Sequence, residues 1–420
     1  MPVRCLMADD VARRGLVIQL ARLGDLVQSF PAIAALNAEA AVAALDLLCP
    51  VPFTSIGSCV PGIERVLAWE VERWRMWADR WPSAREETLT EIEAYLTMVI
   101  PKPYAAAFNL NQHSRSMLAA TLLSRHVMGP GERGPLTQDL PPWAEYLRGV
   151  ARHRDRNRVH LADVFCGLCG VMPPGTAPGL RIPPTSLPDD LSSIGTTEGP
   201  WIAVIVGAGD AARCVPPMIW REWIRVFLGA SRDGRVVLIG SEDDCERGRT
   251  IQDGLSSLCL GRVWDTTGRT TLIQTAALLS RCQWVVGSDT GPLHLGTAVG
   301  ARAIGFYFAR ARVHETGPYG RGHWTWQAKP ASGREARGEG LEGVGADEII
   351  RWPIAQSVGL IVDERLTECT GWTLWQSHLD RWGVYHVAEG GPPDSGERRE
   401  DVWRRLHRSM SLKPLSHEYV

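Results

Sequence analysis

Lysine is nearly absent from this sequence. Of 45 basic residues only Lys102, Lys329 and Lys413 are lysines, so almost every cation is an arginine. Net charge is equally scarce: 45 basic against 47 acidic residues leave a formal −2. That is too little to hold nucleic acid through a global basic field, so any polyanion site must be local. Long apolar runs are missing too. The run GLVIQLA is short, and the stretch from Ala32 to Phe53 is broken by Asn37, Glu39 and Asp46. No signal peptide and no transmembrane helix are expected. Ten cysteines in 420 residues are scattered, which argues against a disulfide framework and for a reducing cytoplasm. Cys166 and Cys169 form one CxxC, but a second pair or a histidine cluster at ligand spacing is lacking, so no zinc site is expected. At i and i+3 in an apolar helical stretch they read as core packing.

What is present in quantity is arginine and tryptophan, the latter 17 times. Codon bias is the general reading of the arginine excess. At single positions it has chemical weight, because arginine stays charged and binds phosphate or carboxylate through a planar fork.

The length suggests two or three domains. Short β-branched runs alternate with longer helical stretches, the pattern of βαβ units around parallel sheets, and the pattern occurs twice. Residues 1–172 carry predicted strands at 16–20, 45–49, 65–69 and 105–110, with helices near 27–38, 84–99, 114–123 and 159–171. Residues 173–200 are proline-rich and read as a linker. Residues 201–350 carry predicted strands at 201–206, 235–239, 283–287 and 302–307, with helices near 217–228, 245–256, 272–279 and 292–299. Residues 331–347 read as an exposed loop. Residues 351–420 are an extension of unread role, with Trp372, Trp375, Trp382 and a charged helix near 400–410. Two doubly wound domains facing each other would enclose a cleft.

Four places could carry chemistry. Asp25 follows the first strand in ARLGDLVQSF, at the carboxyl end of a strand, where it could accept a proton from a group-transfer acceptor or simply cap a helix. In VVGSDTGPLHLGTAVG a strand delivers Asp289, Thr290 and Gly291 to a helix start, whose free N–H groups and the Thr290 hydroxyl can hold a phosphate. Pro292 suits the first helical position. His294, about one turn in, could add a donor toward the same anion, and Asp289 could accept from sugar hydroxyls. Third, Gly207-Ala208-Gly209 invites a dinucleotide reading, but Ala212 stands where a third glycine is needed, so the fingerprint is weak. Its loop carries Arg213, placed to reach a phosphate. After the next strand, Glu242, Asp243, Asp244 and Glu246 could accept ribose hydroxyls or form a solvated helix start. Finally Arg148, Arg152, Arg154, Arg156 and Arg158 crowd together, with His113 and Arg115 in an earlier loop. They read as a solvated basic face or as the docking place of an anionic acceptor.

Together these motifs resemble the ADP-heptose:lipopolysaccharide heptosyltransferase family, glycosyltransferase family 9, over roughly Leu16 to Gln327. The segments LVIQLARLGDLVQSFPAIAAL and DTTGRTTLIQTAALLSRCQWVVGSDTGPLHLGTAVGARAIGFY carry most of the likeness. The resemblance implies an α/β chain with two Rossmann-like doubly wound domains facing a cleft (GT-B type), plus a C-terminal extension. It implies metal-independent, inverting transfer of a sugar, heptose by family default, from a nucleotide-diphosphate donor. By position, Asp25 matches the catalytic aspartate and Asp289 the residue that holds the donor sugar. Thr290 and Gly291 match the pyrophosphate-binding helix start, and His294 its histidine. Arg213 stands where a phosphate-neutralising lysine is usual. Asp244 falls near the ribose-binding acid, and Thr270 in the segment lining the adenine pocket. Gly24, His113 and Arg115 are the acceptor-side candidates. The pattern departs after the last strand, where FYFARARVHETGPYG replaces Phe-Gly-Pro-Thr.

No cofactor is implied beyond the donor substrate, ADP-heptose by family default. The implied partners are that donor, an anionic glycan or glycolipid acceptor and a peripheral contact with the inner membrane, with no nucleic acid. Two alternatives stay open at the level of sequence. One is a catalytically silent sugar-nucleotide-binding protein, against which Asp25 argues. The other is an NAD-dependent oxidoreductase, which needs an intact glycine fingerprint.

Overall fold

The computed structural model describes residues 14–39, 42–99, 103–132, 140–150, 154, 157–185, 187–328, 355–362, 371–390 and 397–408. The loop expected at 331–347 lies outside them, as do Arg152 and Arg156. The chain divides into two units: Met1–Pro178 with Asp380–Gly383 and Gly396–Val420, and Gly179–Leu379 with Val384–Ser395.

In the first unit, β1 (Arg14–Ile18), β2 (Ala44–Pro50), β3 (Ile63–Trp69), β4 (Ala106–Asn109) and β5 (Val127–Met128) form a sheet of order β3-β2-β1-β4-β5. Each neighbouring pair is parallel. Leu16, Val17 and Ile18 are fully buried, as a central strand covered on both faces requires. The single helix expected over 27–38 is instead two, Leu23–Gln28 and Phe30–Ala38. Pro31 is the cause: it has no N–H for the Val27 carbonyl, so the first helix ends and the second restarts around it. A helix at Val71–Arg80, absent from the sequence reading, precedes the expected one, which runs Arg85–Val99. Its Trp74 stacks on Trp69 at 4.0 Å and meets Trp77 edge-on at 5.0 Å, so several of the many tryptophans are core. Cys166 and Cys169 are buried at the helix Leu161–Leu168, and burial pushes both thiols up, consistent with packing.

The second sheet holds β6 (Trp201–Ile205), β7 (Arg235–Ile239), β8 (Val263–Asp265), β9 (Trp284–Ser288), β10 (Arg302–Tyr307), β11 (Trp324–Ala328), β12 (Trp372–Asp380) and β13 (Gly383–Ala388). Their order is β13-β12-β11-β10-β9-β6-β7-β8. From β8 to β11 the sheet is parallel, and β12 runs antiparallel to β11. The helix Pro217–Ala230 buries Ile219, Trp220, Trp223, Ile224, Phe227 and Leu228 in the core beside β6 and β7. At about 1.5–3 kcal/mol per large apolar side chain, that face anchors the unit.

The C-terminal extension thus has two structural roles that the sequence did not reveal. Trp372–Ala388 completes the second sheet as a hairpin. The charged helix, Glu397–Arg408, belongs to the first unit, where Trp403 packs on Trp143 at 4.4 Å.

Candidate functional site

Where strand order reverses in an open parallel sheet, the loops leaving the carboxyl ends of the two central strands diverge and leave a crevice. In the second unit that reversal falls between β6 and β9. Arg213 comes from the loop after β6, on a short 3-10 turn, Ala211–Arg213, capped by Asp210 through the Ala212 N–H at 3.1 Å. Asp289 and Thr290 follow β9. The two loops meet: Arg213 Nη1 donates to the Asp289 carbonyl at 2.7 Å and lies 3.5 Å from Asp289 Oδ2.

Two further groups grip the same carboxylate. His294 Nε2 is 3.1 Å from Oδ1, and Thr316 Oγ1 donates to Oδ2 at 3.2 Å. Burial alone would raise the pKa of Asp289. The His294 bond and charge, the Arg213 charge and the Thr316 bond outweigh it and hold the acid below its ordinary range. Nearby, Tyr307 is fully buried and its hydroxyl donates to the Thr316 carbonyl at 2.7 Å. Burial and then the Asp289 charge push that phenol upward.

Thr290 is the N-cap residue of the helix Gly291–Ala298, which begins at Gly291 and leaves Pro292 in the second position rather than the first. The Thr290 side chain does not cap the helix. Its hydroxyl is buried without a hydrogen-bond partner among the described residues. A buried hydroxyl in that condition, beside the free N–H groups of a helix start, is a ready place for an anionic oxygen.

Asp244 and Thr270 lie on the loops of the next strands outward, β7 and β8. Asp244 Oδ2 accepts from the Ser241 N–H and hydroxyl, each at 2.8 Å. A side chain at Gly207 would come within 1.9 Å of Asp244 Oδ1. The first glycine of Gly207-Ala208-Gly209 therefore makes room for an acidic side chain. Thr270 Oγ1 shares a hydrogen bond with Thr275 Oγ1 at 2.9 Å, and Thr271 caps the helix Leu272–Leu279.

The first unit repeats the arrangement with different groups. Its reversal falls between β1 and β4, and Asp25 follows β1. Asp25 does not sit in a turn ahead of the helix, as expected. It is the third residue of Leu23–Gln28, half-buried beside Gly24, and its Oδ2 accepts the Arg22 N–H at 3.2 Å. The capping and site readings thus share one carboxylate.

Beneath Asp25 is a polar network that sequence reasoning missed. Gln19 accepts from the Ala21 N–H at 3.2 Å and donates to the Asp25 carbonyl at 3.4 Å. Asn111, after β4, accepts from the Leu20 N–H at 3.1 Å and donates to the Ile18 carbonyl at 2.8 Å. These polar residues adjoin an apolar strand, which is the signal that could have found them.

His113 stands at the N-cap position of the helix Ser114–Leu123, with Arg115 exposed beside it. Partial desolvation and the Arg115 charge lower the pKa of its imidazole, while the Asp25 carboxylate acts the opposite way, placing the two within electrostatic reach. Of the arginine run, Arg148 is exposed and Arg154 half-buried, and Arg158 donates to the Asn157 carbonyl at 2.7 Å. Among the described residues no group of three or more His, Cys, Asp or Glu side chains could hold a metal ion, and no helix is long and apolar enough to cross a membrane.

Residues 153–332 match the family model for glycosyltransferase family 9 (heptosyltransferase). No curated protein matches the chain. Among solved structures, Escherichia coli heptosyltransferase WaaC with ADP aligns with a TM-score of 0.57 at 22% identity, covering 80% of this chain and 98% of that one. E. coli ADP-heptose lps heptosyltransferase II aligns at 0.57 and 19% identity, covering 84% and 100%. A glycosyl transferase family 9 protein of Veillonella parvula reaches 0.60 at 16% identity, covering 84% and 99%. Both Rossmann-like sheets have their place in this GT-B fold.

Proposed function

We propose that the protein transfers a sugar from a nucleoside-diphosphate donor to an anionic glycan or glycolipid acceptor with inversion, in one metal-independent displacement. ADP-heptose is the first candidate donor and the lipopolysaccharide core the first candidate acceptor. The observation that carries this reading is the meeting of Arg213, His294 and Thr316 on Asp289, next to the orphaned Thr290 hydroxyl at a helix start.

In this reading the diphosphate lies against Thr290 and Gly291, with the Arg213 guanidinium and the His294 ring beside it. They stabilise the charge that grows on the leaving group. Asp289 accepts from the sugar hydroxyls, and Asp244 and Thr270 bound the nucleoside. Asp25 takes the proton of the acceptor hydroxyl as it attacks the anomeric carbon, and Gly24, His113 and Arg115 flank the acceptor. Free cysteines at eight described positions suit a reducing cytoplasm, with the acceptor met at the inner-membrane surface.

A panel of ADP-, UDP- and GDP-sugars screened by thermal shift, followed by transfer assays with the stabilising donor, tests the proposal. Stabilisation by ADP-heptose and a product of inverted anomeric configuration by NMR are expected. Tight NAD binding without affinity for any nucleotide sugar would overturn the proposal in favour of an oxidoreductase.

A further inference from the structure

Thr316 comes from FYFARARVHETGPYG, the segment where the sequence departs from the family pattern. Local sequence gives this loop little regular structure beyond the one-turn helix Val313–Thr316, and Ala309 adopts a left-handed φ of 53°. Contacts from elsewhere hold it. Gln327, on β11, donates to the Tyr307 and Ala311 carbonyls at 3.1 and 3.3 Å and accepts the Val313 N–H at 3.0 Å. Arg312 Nη1 donates to the Ala309 and Ala311 carbonyls, both at 2.9 Å.

The C-terminal hairpin holds the other side. Trp375, on β12, meets the His314 ring edge-on at 4.6 Å. His386, on β13 and buried, fills the space that a side chain at Gly317 would need, its Nε2 lying 2.3 Å from an added Cβ. Gly317 is thus required by close approach. Two strands remote in sequence therefore fix the loop on either side of Thr316.

Fixing matters because of what Thr316 does to Asp289. His294 takes Oδ1 and Thr316 takes Oδ2, so the carboxylate is bonded through both oxygens and its plane is set. Without Thr316, Oδ2 is free to turn toward Arg213, already 3.5 Å away. That motion would misalign the acceptor lone pairs and draw a cation from the phosphates.

We propose that Thr316 is a positioning residue for the sugar-binding carboxylate Asp289, and that the hairpin Trp372–Ala388 is part of the donor site's construction, acting through residues 308–317. This rests on the reading of Asp289 as the donor-sugar ligand.

The test compares affinity for ADP and for ADP-heptose by calorimetry in the full chain carrying Thr316→Val, Thr316→Ser, Asp289→Asn, Trp375→Ala or His314→Ala. Thr316→Val is expected to weaken ADP-heptose about tenfold with ADP nearly unchanged, and Thr316→Ser to restore most of the loss. The acid limb of ADP-heptose binding should also move to higher pH in Thr316→Val, because the charged carboxylate loses a donor. Trp375→Ala and His314→Ala should each speed amide hydrogen exchange over 308–317.

If Thr316→Val matches wild type while Asp289→Asn loses ADP-heptose, the positioning role is wrong and the donor reading stands. Equal losses of ADP and ADP-heptose would also overturn it, as the mark of a merely structural residue. Unchanged exchange in both ring variants would overturn the hairpin's part. If wild type and Asp289→Asn bind ADP-heptose alike, the donor-sugar reading itself falls.

Discussion

Asp25 and Asp289 stand at corresponding addresses, each after a parallel strand that borders the reversal of its sheet, yet their surroundings differ. Asp289 is buried and gripped through both oxygens by His294, Thr316 and Arg213. Asp25 is half-buried on the first turn of a six-residue helix, with the Arg22 backbone N–H on its Oδ2. A carboxylate meant to stay an anion benefits from every donor aimed at it. One that must take up a proton during turnover cannot be held that way, because each donor that favours the charged form weakens the base. In the proposed reaction Asp289 has the ligand role and Asp25 the base role.

The sharpest way to break that contrast is Asp25→Asn. Transfer should slow by about 10²- to 10⁴-fold with nucleotide-sugar affinity unchanged, as steady-state rates and calorimetry would show. Full activity in this variant would remove the base assignment.

Next in size is Arg213→Ala, expected to weaken ADP binding by about 10–100-fold. Arg213→Lys should recover only part of it, since a point charge cannot serve the Asp289 carbonyl and a phosphate as a fork does. Titration of ADP into each variant distinguishes these outcomes.

The pH dependence of donor affinity follows in magnitude. Asp289 has its pKa lowered, so the stabilisation of its charged form is complete above the ordinary carboxylate range and lost only as pH falls through the lowered value. Affinity for the nucleotide sugar should therefore persist through about pH 4. In Arg213→Ala the loss should begin at higher pH. A decline in the wild type already near pH 5 would contradict the environment described for Asp289.

The smallest expected effect is Gln19→Leu. It removes the amide that ties the Ala21 N–H to the Asp25 carbonyl and should lower kcat only about two- to fivefold, with donor affinity intact. An equal fall in donor affinity would mean that Gln19 serves more than the Asp25 turn.

Much of this was legible in the sequence, for identifiable reasons. Buried parallel strands such as Leu16–Ile18 and Val285–Val286 read as short apolar runs, and the helices 114–123 and 272–279 carry their own periodicity, so the strands that lead to Asp25 and Asp289 could be placed. The start of the Asp25 helix was misplaced because the Arg22–Asp25 cap and Pro31, rather than apolar spacing, set its limits. The strands β11 to β13 escaped because WTWQA and WTLWQSHLD mix tryptophan, glutamine, serine and histidine. Their conformation is settled by pairing across tens of residues. Thr316 escaped for the same reason: it reaches Asp289 from 27 residues away through a loop with few local signals.

The hairpin also has a consequence for solubility. Without it the parallel sheet would stop at β11, leaving the open backbone of Trp324–Ala328 along an edge that carries two tryptophans. An uncovered edge of that kind invites pairing with another chain. In β12 the stretch Trp372–Gln376 pairs along the whole of it, and the chain turns back through β13, moving the sheet's limit outward by two strands. A chain shortened before Trp372 is therefore expected to fail first by association, detectable by light scattering at concentrations where the full chain stays monodisperse.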